Sequence, residues 1–395
     1  MVTFFLRVAG ITLVCAVFFA SCSDRPTNTI TSNNDVSGAP SSLSKSTVAQ
    51  DQIPDQYIVV LNDDVRNVPD VANDMARAHG LSRGFTYQHT IKGFSAMVPA
   101  GRLNALARDP RVKYVEPDRV VSIGPTPEGK PGGGGGSPAQ IVPWGITRVG
   151  GGQTYKGDNV AWIIDTGIDF GHPDLNVDKD RSVDITGSRK GADDENGHGT
   201  HVAGTVAAID NSIGVVGVAA GATVVAVRVL NRSGSGTWSG VIMGIDYVGA
   251  NAIAGDVANM SLGGGYSKAV NDAVIAVSKL NVKFALAAGN ESTDASYKSP
   301  ASANGDNIYT VSAFAKVDTW ASFSNYGNLI DGSPIDFGAP GVSVYSCYKG
   351  GGYITYSGTS MAAPHVAGLL LLGSVKTDGF VKGDPDNNPD PIAHH

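Results

Sequence analysis

Five short, almost continuous apolar runs constrain the fold of this 395-residue chain more than any other feature. They are Val160–Ile164, Thr223–Leu230, Val257–Leu262, Lys283–Ala288 and Ile308–Ser312. A strand buried on both faces reads as an unbroken apolar run, whereas a half-exposed strand alternates. Helical patterns lie between the runs. Trp238, Val241, Ile242, Ile245 and Val248 share one helical face, as do Val270, Ala273, Val274, Val277 and Leu280. Strands alternating with helices predict an α/β domain of three layers around a parallel central sheet. Ligands of such sheets bind at the carboxyl ends of the strands. The 51 glycines suit tight turns and close helix–sheet contacts.

A net charge of −7, without a long basic run, argues against a nucleic-acid partner. Residues 1–21 read as a signal peptide: Arg7 is the only charge, and Val8–Ala20 is too short to span a membrane comfortably. Phe19-Ala20-Ser21-Cys22 resembles a lipoprotein box, which would lipidate Cys22 and anchor the chain to a membrane. Ordinary secretory cleavage near Ala20 is the alternative. With Cys15 removed and Cys22 modified, Cys347 is left as a small buried apolar residue. Residues 22–54 are rich in Ser, Thr, Asn and Pro and read as a tether. Residues 55–122 follow a β-α-β-β-α-β pattern, with strands at Gln56–Leu61, Phe94–Val98 and Val112–Glu116 and helices at Val68–His79 and Arg102–Arg108. Residues 123–138 include five consecutive glycines, Gly132–Gly136, and form a linker. The main domain spans 139–372, and the Pro- and Asp-rich residues 373–395 read as an irregular tail.

Three segments carry chemistry: Asp165-Thr166-Gly167, His198-Gly199-Thr200-His201, and Gly358-Thr359-Ser360-Met361-Ala362-Ala363-Pro364. A serine hydroxyl is a poor nucleophile until a base takes its proton, and the base needs a carboxylate to hold its tautomer. Asp165 ends a buried strand and must find a partner; alone it would be a turn cap. His198 opens a helix, where the dipole disfavours imidazolium. Zinc at His198 and His201 is the rival reading, but the His-Glu-x-x-His arrangement is lacking. Ser360 sits at a strand-to-helix turn, which exposes a hydroxyl and aims backbone N–H groups at an oxyanion. Asn290 follows Ala287-Ala288-Gly289 at another strand end, where an Asn is otherwise only a turn residue.

Together these segments resemble the subtilases, with the chain order Asp…His…Ser of subtilisin. The resemblance covers about 139–372 and implies a subtilisin-like fold and an exported serine endopeptidase acting on proteins or peptides. It implies His198 as base, Asp165 as its orienting carboxylate, Ser360 as nucleophile and Asn290 as oxyanion donor. His201 would be structural, and Thr359 and His365 supporting. Gly234-Ser235-Gly236 and Ser261-Leu262-Gly263 resemble the two edges of a peptide cleft, between which substrate adds as a strand. Such main-chain binding implies broad cleavage. Trp238 either walls a distal subsite or begins a helix core. Ser299–Ser302 would floor the primary pocket, where Lys298 is the only nearby charge, so an apolar preference is expected. Residues 55–122, ending in Val115-Glu116-Pro117-Asp118, resemble the ferredoxin-like inhibitory propeptide of the family. Structural calcium is implied, held by the side chains of Gln140, Asp174 and Asn211 and the carbonyls of Ile209, Ile213 and Val215. Ala139–Gly145 resembles a mature N-terminus, which places self-processing near Ala139. A monomer is expected. The tail departs from the family. The alternatives are a catalytically silent, lipid-anchored binding protein on the same fold, and a processing protease of narrow specificity.

Overall fold

The computed structural model describes residues 51–124, 126–128, 138–327 and 335–395. The signal peptide, Cys22, the tether up to Gln50 and the glycine run Gly132–Gly136 lie outside the described residues. No helix among the described residues is long and apolar enough to cross a membrane.

The five apolar runs meet in one sheet. Its spatial order is Lys376–Phe380, Pro391–His394, Ile335–Pro340, Ile308–Ala315, Lys283–Ala287, Val257–Met260, Ala161–Asp165, Thr223–Arg228 and Asn176–Val177. Every pairing from Pro391–His394 onward is parallel. Alternate residues of each strand enter different cores, which is why the runs are apolar throughout. Ile163, Ala226 and Ala285 pack with the helices His198–Ala207 and Thr359–Leu372. Trp162, Val225 and Phe284 pack with the helices Trp238–Asn251 and Lys268–Ser278. Cys347 is fully buried in the first of these cores.

Ahead of this domain, residues 52–122 fold in the expected β-α-β-β-α-β order around their own core of Val59, Leu61, Met75, Phe94 and Leu106. Asn67 starts the first helix by accepting from the Asp70 N–H at 3.2 Å, and Gly80 ends it at φ 67°. The second helix, Leu103–Leu106, is shorter than the expected Arg102–Arg108. Only one apolar turn is available there, and Pro110 disfavours helix at Asp109.

The tail also differs from expectation. Residues 376–380 and 391–394 form two antiparallel strands, and the second extends the large sheet through Gly338 and Ile392. The Asp- and Pro-rich stretch is the turn between them. Burial of Val381 and Ile392 against Phe314 holds the pair in place.

Two carboxylates of the Val115–Asp118 segment join the small unit to the large one. Residues two apart on a strand point the same way. Glu116 accepts from the Ser267 hydroxyl and the Ala269 N–H at the start of the helix Lys268–Ser278. Asp118 accepts from the Ser239 N–H, at 3.0 Å, at the start of the helix Trp238–Asn251. Both fill positions where helices leave N–H groups unpaired. Burial pushes both carboxyls above their ordinary range, against the pull of these hydrogen bonds. In return Asp246, on the large domain, accepts the N–H groups of Gln88, His89 and Thr90. Asp118→Ala is expected to destabilise the intact chain by about 1 kcal/mol, the typical cost of a lost N-terminal cap. Urea unfolding of that variant in a Ser360→Ala background measures it; an unchanged midpoint refutes the capping role.

Candidate active site

Asp165 is the last residue of its strand, and His198 is the first residue of its helix. The His198 Nδ1 lies 2.8 and 2.9 Å from the two Asp165 carboxylate oxygens, with both residues buried. Facing a carboxylate, Nδ1 carries the proton, which leaves Nε2 as the basic nitrogen. Among the described residues this Nε2 is buried without a hydrogen-bond partner. The Thr166 N–H donates to Asp165 at 2.6 Å.

Sequence reasoning missed Asp194, which holds this arrangement from beneath. It accepts from the N–H groups of Asn196, Gly197 and Thr200 and from the hydroxyls of Thr166 and Thr200. Gly197, the residue at the helix cap, has no side chain to do this. Burial pushes the Asp194 carboxyl up, and the donors oppose it. An Asp four residues before the helix start was the available signal. His201 contacts the Val344 carbonyl through Nε2 at 3.0 Å and packs on Tyr356, as a structural residue would.

Ser360 is the second residue of the helix Thr359–Leu372. Pro364 lies inside that helix. Its missing N–H would leave the Ser360 carbonyl without an intrahelical donor. The Ser261 hydroxyl fills that place at 2.7 Å, itself held by the Asn259 amide. The Ser360 hydroxyl donates to the Ser261 carbonyl at 3.1 Å, so the cleft edge and the candidate nucleophile are tied twice. Asn290 accepts through Oδ1 from the Thr359 N–H at 2.8 Å and from its hydroxyl at 3.0 Å. This fixes the amide with Nδ2 left for another acceptor. The Thr359 hydroxyl also accepts from the Gly289 N–H.

The two predicted cleft edges flank a strand, and that strand is the chain's own. Val120, Val121 and Ser122 pair antiparallel with Thr237, Gly236 and Ser235, and Ser122 also bridges Gly263. The Ile123 N–H donates to the Gly234 carbonyl at 3.0 Å. Gly124 lines a cavity of about 370 Å³ together with Leu262, Asn290 and Ser360. Ala139, the expected processing point, is bridged to Ile213. Trp238 is fully buried beneath Gly264 and shares a core with Val121 and Leu262, so it starts the helix and backs the cleft at once. Glu291, absent from the sequence reading, also lines the cavity and lies 3.4 Å from Lys298. Ser299 lies behind the cleft wall, paired with Gly264.

The six predicted calcium ligands belong to one cluster. Asp174 accepts from the Asn211 amide, the Val215 N–H and the Tyr353 hydroxyl. The Asn211 N–H donates to the Gln140 side chain, whose Nε2 reaches Asp210. The Ile209 N–H donates to the Asp174 carbonyl, and the Ile213 N–H to Asn211 Oδ1. The predicted ligand atoms are all oxygens, which suits a hard cation. No group of three or more acidic, histidine or cysteine side chains that could hold a metal was found among the described residues. Amide and carbonyl oxygens would therefore have to supply most of the shell. Burial pushes the Asp174 carboxyl up.

Residues 158–377 match the subtilase family, and residues 56–124 match the peptidase inhibitor I9 family. The subtilisin-like serine protease Pen ch 13 of Penicillium rubens is 39% identical over 363 residues, 82% of this chain and 84% of the relative. The alkaline serine exoprotease A of Vibrio alginolyticus is 39% identical over 309 residues, 75% of this chain and 54% of the relative. The crystal structure of a cold-adapted subtilisin-like serine proteinase superposes with a TM-score of 0.55 at 36% identity, over 64% of this chain and 97% of that one.

Two buried imidazoles beside the site set an acid limit. Burial is the main cause that holds His201 down at about 3 and His365 at about 4, from an ordinary 6.5. The unfolded chain binds protons below pH 6.5 that the folded chain excludes. Stability is thus fully present above pH 6.5 and is lost progressively as the pH falls through 4 toward 3. A Ser360→Ala chain is expected to lose melting temperature over this window, with a shallower slope in His365→Gln. Equal slopes would show that this imidazole does not set the limit.

Proposed function

The chain belongs to the subtilase family and is a subtilisin-like serine protease made with an inhibitor propeptide, and on that premise we propose that Asp165, His198 and Ser360 carry the hydrolysis of peptide bonds. The supporting observation is a peptide already lying across the site. A strand of the chain itself pairs with one cleft edge, bridges the other and brings Gly124 to the cavity of Ser360 and Asn290.

In this mechanism the Ser360 hydroxyl leaves the Ser261 carbonyl and donates to His198 Nε2. Oγ attacks the substrate carbonyl as His198 takes the proton, and Asp165 stabilises the imidazolium. Asn290 Nδ2 and the Ser360 N–H receive the oxyanion. His198 returns the proton to the leaving amine, and water then repeats the sequence on the acyl-enzyme. Binding through main chain at Gly234–Gly236 and Gly263 favours broad cleavage. The buried seat of Val121 favours an apolar side chain three residues before Gly124. The reading includes export through residues 1–21, lipidation at Cys22 as one form of anchoring, a protease domain over 139–372 and self-processing of the precursor. On storage at high concentration the wild-type chain is expected to split into two fragments by intact mass, while Ser360→Ala stays whole. Two uncut chains would favour a binding protein on this fold.

The same reading assigns calcium to the 209–215 loop, held by Asp174, Gln140 and Asn211 with the carbonyls of Ile209, Ile213 and Val215. The ion would tie the segment after Ala139 to this loop. At a calcium concentration 100-fold above its Kd, binding stabilises by about 2.7 kcal/mol. A chelator should therefore lower the melting temperature of Ser360→Ala, and Asp174→Asn should abolish the difference. A chelator-insensitive chain would sink the assignment.

A further inference from the structure

Asn259 is a polar residue in an apolar place. Its strand, Val257–Met260, runs through the middle of the large sheet, with Ile163 in register on one side and Ala285 on the other. Both neighbours belong to the core that packs on the helix Thr359–Leu372. Asn259 is fully buried. Its Nδ2 donates to the Ser261 hydroxyl at 2.9 Å, while its Oδ1 is buried without a hydrogen-bond partner among the described residues. Hydrogen counting fixes this orientation. The Ser261 hydroxyl has a single hydrogen, and the Ser360 carbonyl, 2.7 Å away, can only accept it. The hydroxyl can then only accept from Asn259, so Nδ2 faces it and Oδ1 is left over. A buried acceptor without a donor is costly and rare, and an apolar residue of similar size would avoid it. Packing therefore gives no reason for an asparagine here.

The reason lies at the other end of these bonds. In a regular helix the Ser360 carbonyl would accept from the N–H four residues on, but that residue is Pro364, which has none. The first turn is held from outside instead. Asn290 takes the Thr359 N–H on one side of Ser360, and Ser261 serves the Ser360 carbonyl on the other. We infer that Asn259 and Ser261 are positioning residues for the reaction: together they supply the donor that Pro364 withholds, and so fix the main chain that carries the Ser360 Oγ and N–H. The inference rests on the assignment of Ser360 as nucleophile. Both side chains act through the Ser360 carbonyl and exchange no proton with the substrate. Without the Ser261 hydroxyl that carbonyl would be buried and unpaired, and the helix start would shift toward another donor. A misplacement of about 1 Å can lower turnover about 100-fold. Main-chain binding along Gly234–Gly236 and Gly263 does not depend on this carbonyl, so turnover falls while KM holds. Pro364 makes the assignment specific. Any other residue at that position brings an N–H of its own, which makes the Ser261 hydroxyl dispensable.

The test uses the full-length chain after it has been left to mature, with an apolar peptide p-nitroanilide as substrate. Rates are expressed per site labelled by a fluorophosphonate, so that only folded, reactive serine is counted. Ser261→Ala is expected to lower kcat at least about tenfold with KM within about twofold. Ser261→Thr, which keeps the hydroxyl, should keep kcat. Ser261→Ala combined with Pro364→Ala should recover most of the loss. Asn259→Leu, which frees the hydroxyl without removing it, should lose less than Ser261→Ala and recover with Pro364→Ala in the same way. An unchanged kcat in Ser261→Ala, a loss carried by KM, or a loss that Pro364→Ala does not recover overturns the inference. Should Ser261→Ala yield no labelled sites, the comparison of Asn259→Leu with and without Pro364→Ala decides by the same criteria. A wild-type chain that hydrolyses the anilide beside an unaltered Ser261→Ala overturns the positioning role alone. A wild-type chain that neither takes the label nor hydrolyses the anilide overturns the protease assignment and the inference with it.

Discussion

The site depends on how closely one strand end approaches one helix start. A Cβ on Gly199 would lie 2.1 Å from the Gly167 carbonyl oxygen, so only glycine allows the approach. With that contact made, the Asp165 carboxylate meets the His198 ring at hydrogen-bond distance on both oxygens. The cost of the approach is a set of helix N–H groups with no local cap. Asp194 supplies the acceptor from four residues upstream, and Thr166 adds its hydroxyl to the Gly199 N–H. The orientation of the candidate base is thus fixed by buried groups that are nearly all mutually satisfied. Such networks rigidify a site because any displaced member loses a partner in a low-dielectric setting.

A second coupling links the small unit to the cleft. Glu116 and Asp118 cap the helices that begin at Lys268 and Trp238. Those helices follow directly from the cleft edges around Gly263–Gly265 and Ser235–Thr237. The segment that occupies the cleft therefore also satisfies the helix ends that shape it. Three residues of strand pairing would bind weakly alone. Here they are continuous with a folded four-stranded sheet, so little chain entropy remains to be lost on docking.

The sheet, both helix layers and the order of the small unit were legible because burial on two faces leaves a continuous apolar run, and burial on one leaves a period. The positions of Asp165, His198 and Ser360 were legible for a different reason: each needs glycines or small residues around it for close approach, and those are written in the sequence. What remained hidden depends on distant pairings. Nothing local says that Asp194 spans to Thr166, or that the Ser261 hydroxyl would occupy the place left by the missing N–H of Pro364. Val381 and Ile392 gave too short an apolar signal for the tail to read as strands, because each contributes one side chain to a core built around Phe314. Glu291 was overlooked because its cavity is walled by segments far apart in the sequence, among them those around Gly124, Gly263 and Ser360.

The occupied cleft shows why recognition and turnover are different demands. The main-chain pairings with Gly234 and Gly263 are those that any extended peptide would use, and they are present before reaction begins. Interactions equally strong before and during reaction lower the free energy of the bound state without lowering the barrier that follows it. Anchoring the chain on the far side of Ser360 through Ser357 and Thr355 deepens that bound state further. A chain can therefore carry a complete Asp165–His198 pair and an oriented Asn290 while its own segment rests in the cleft.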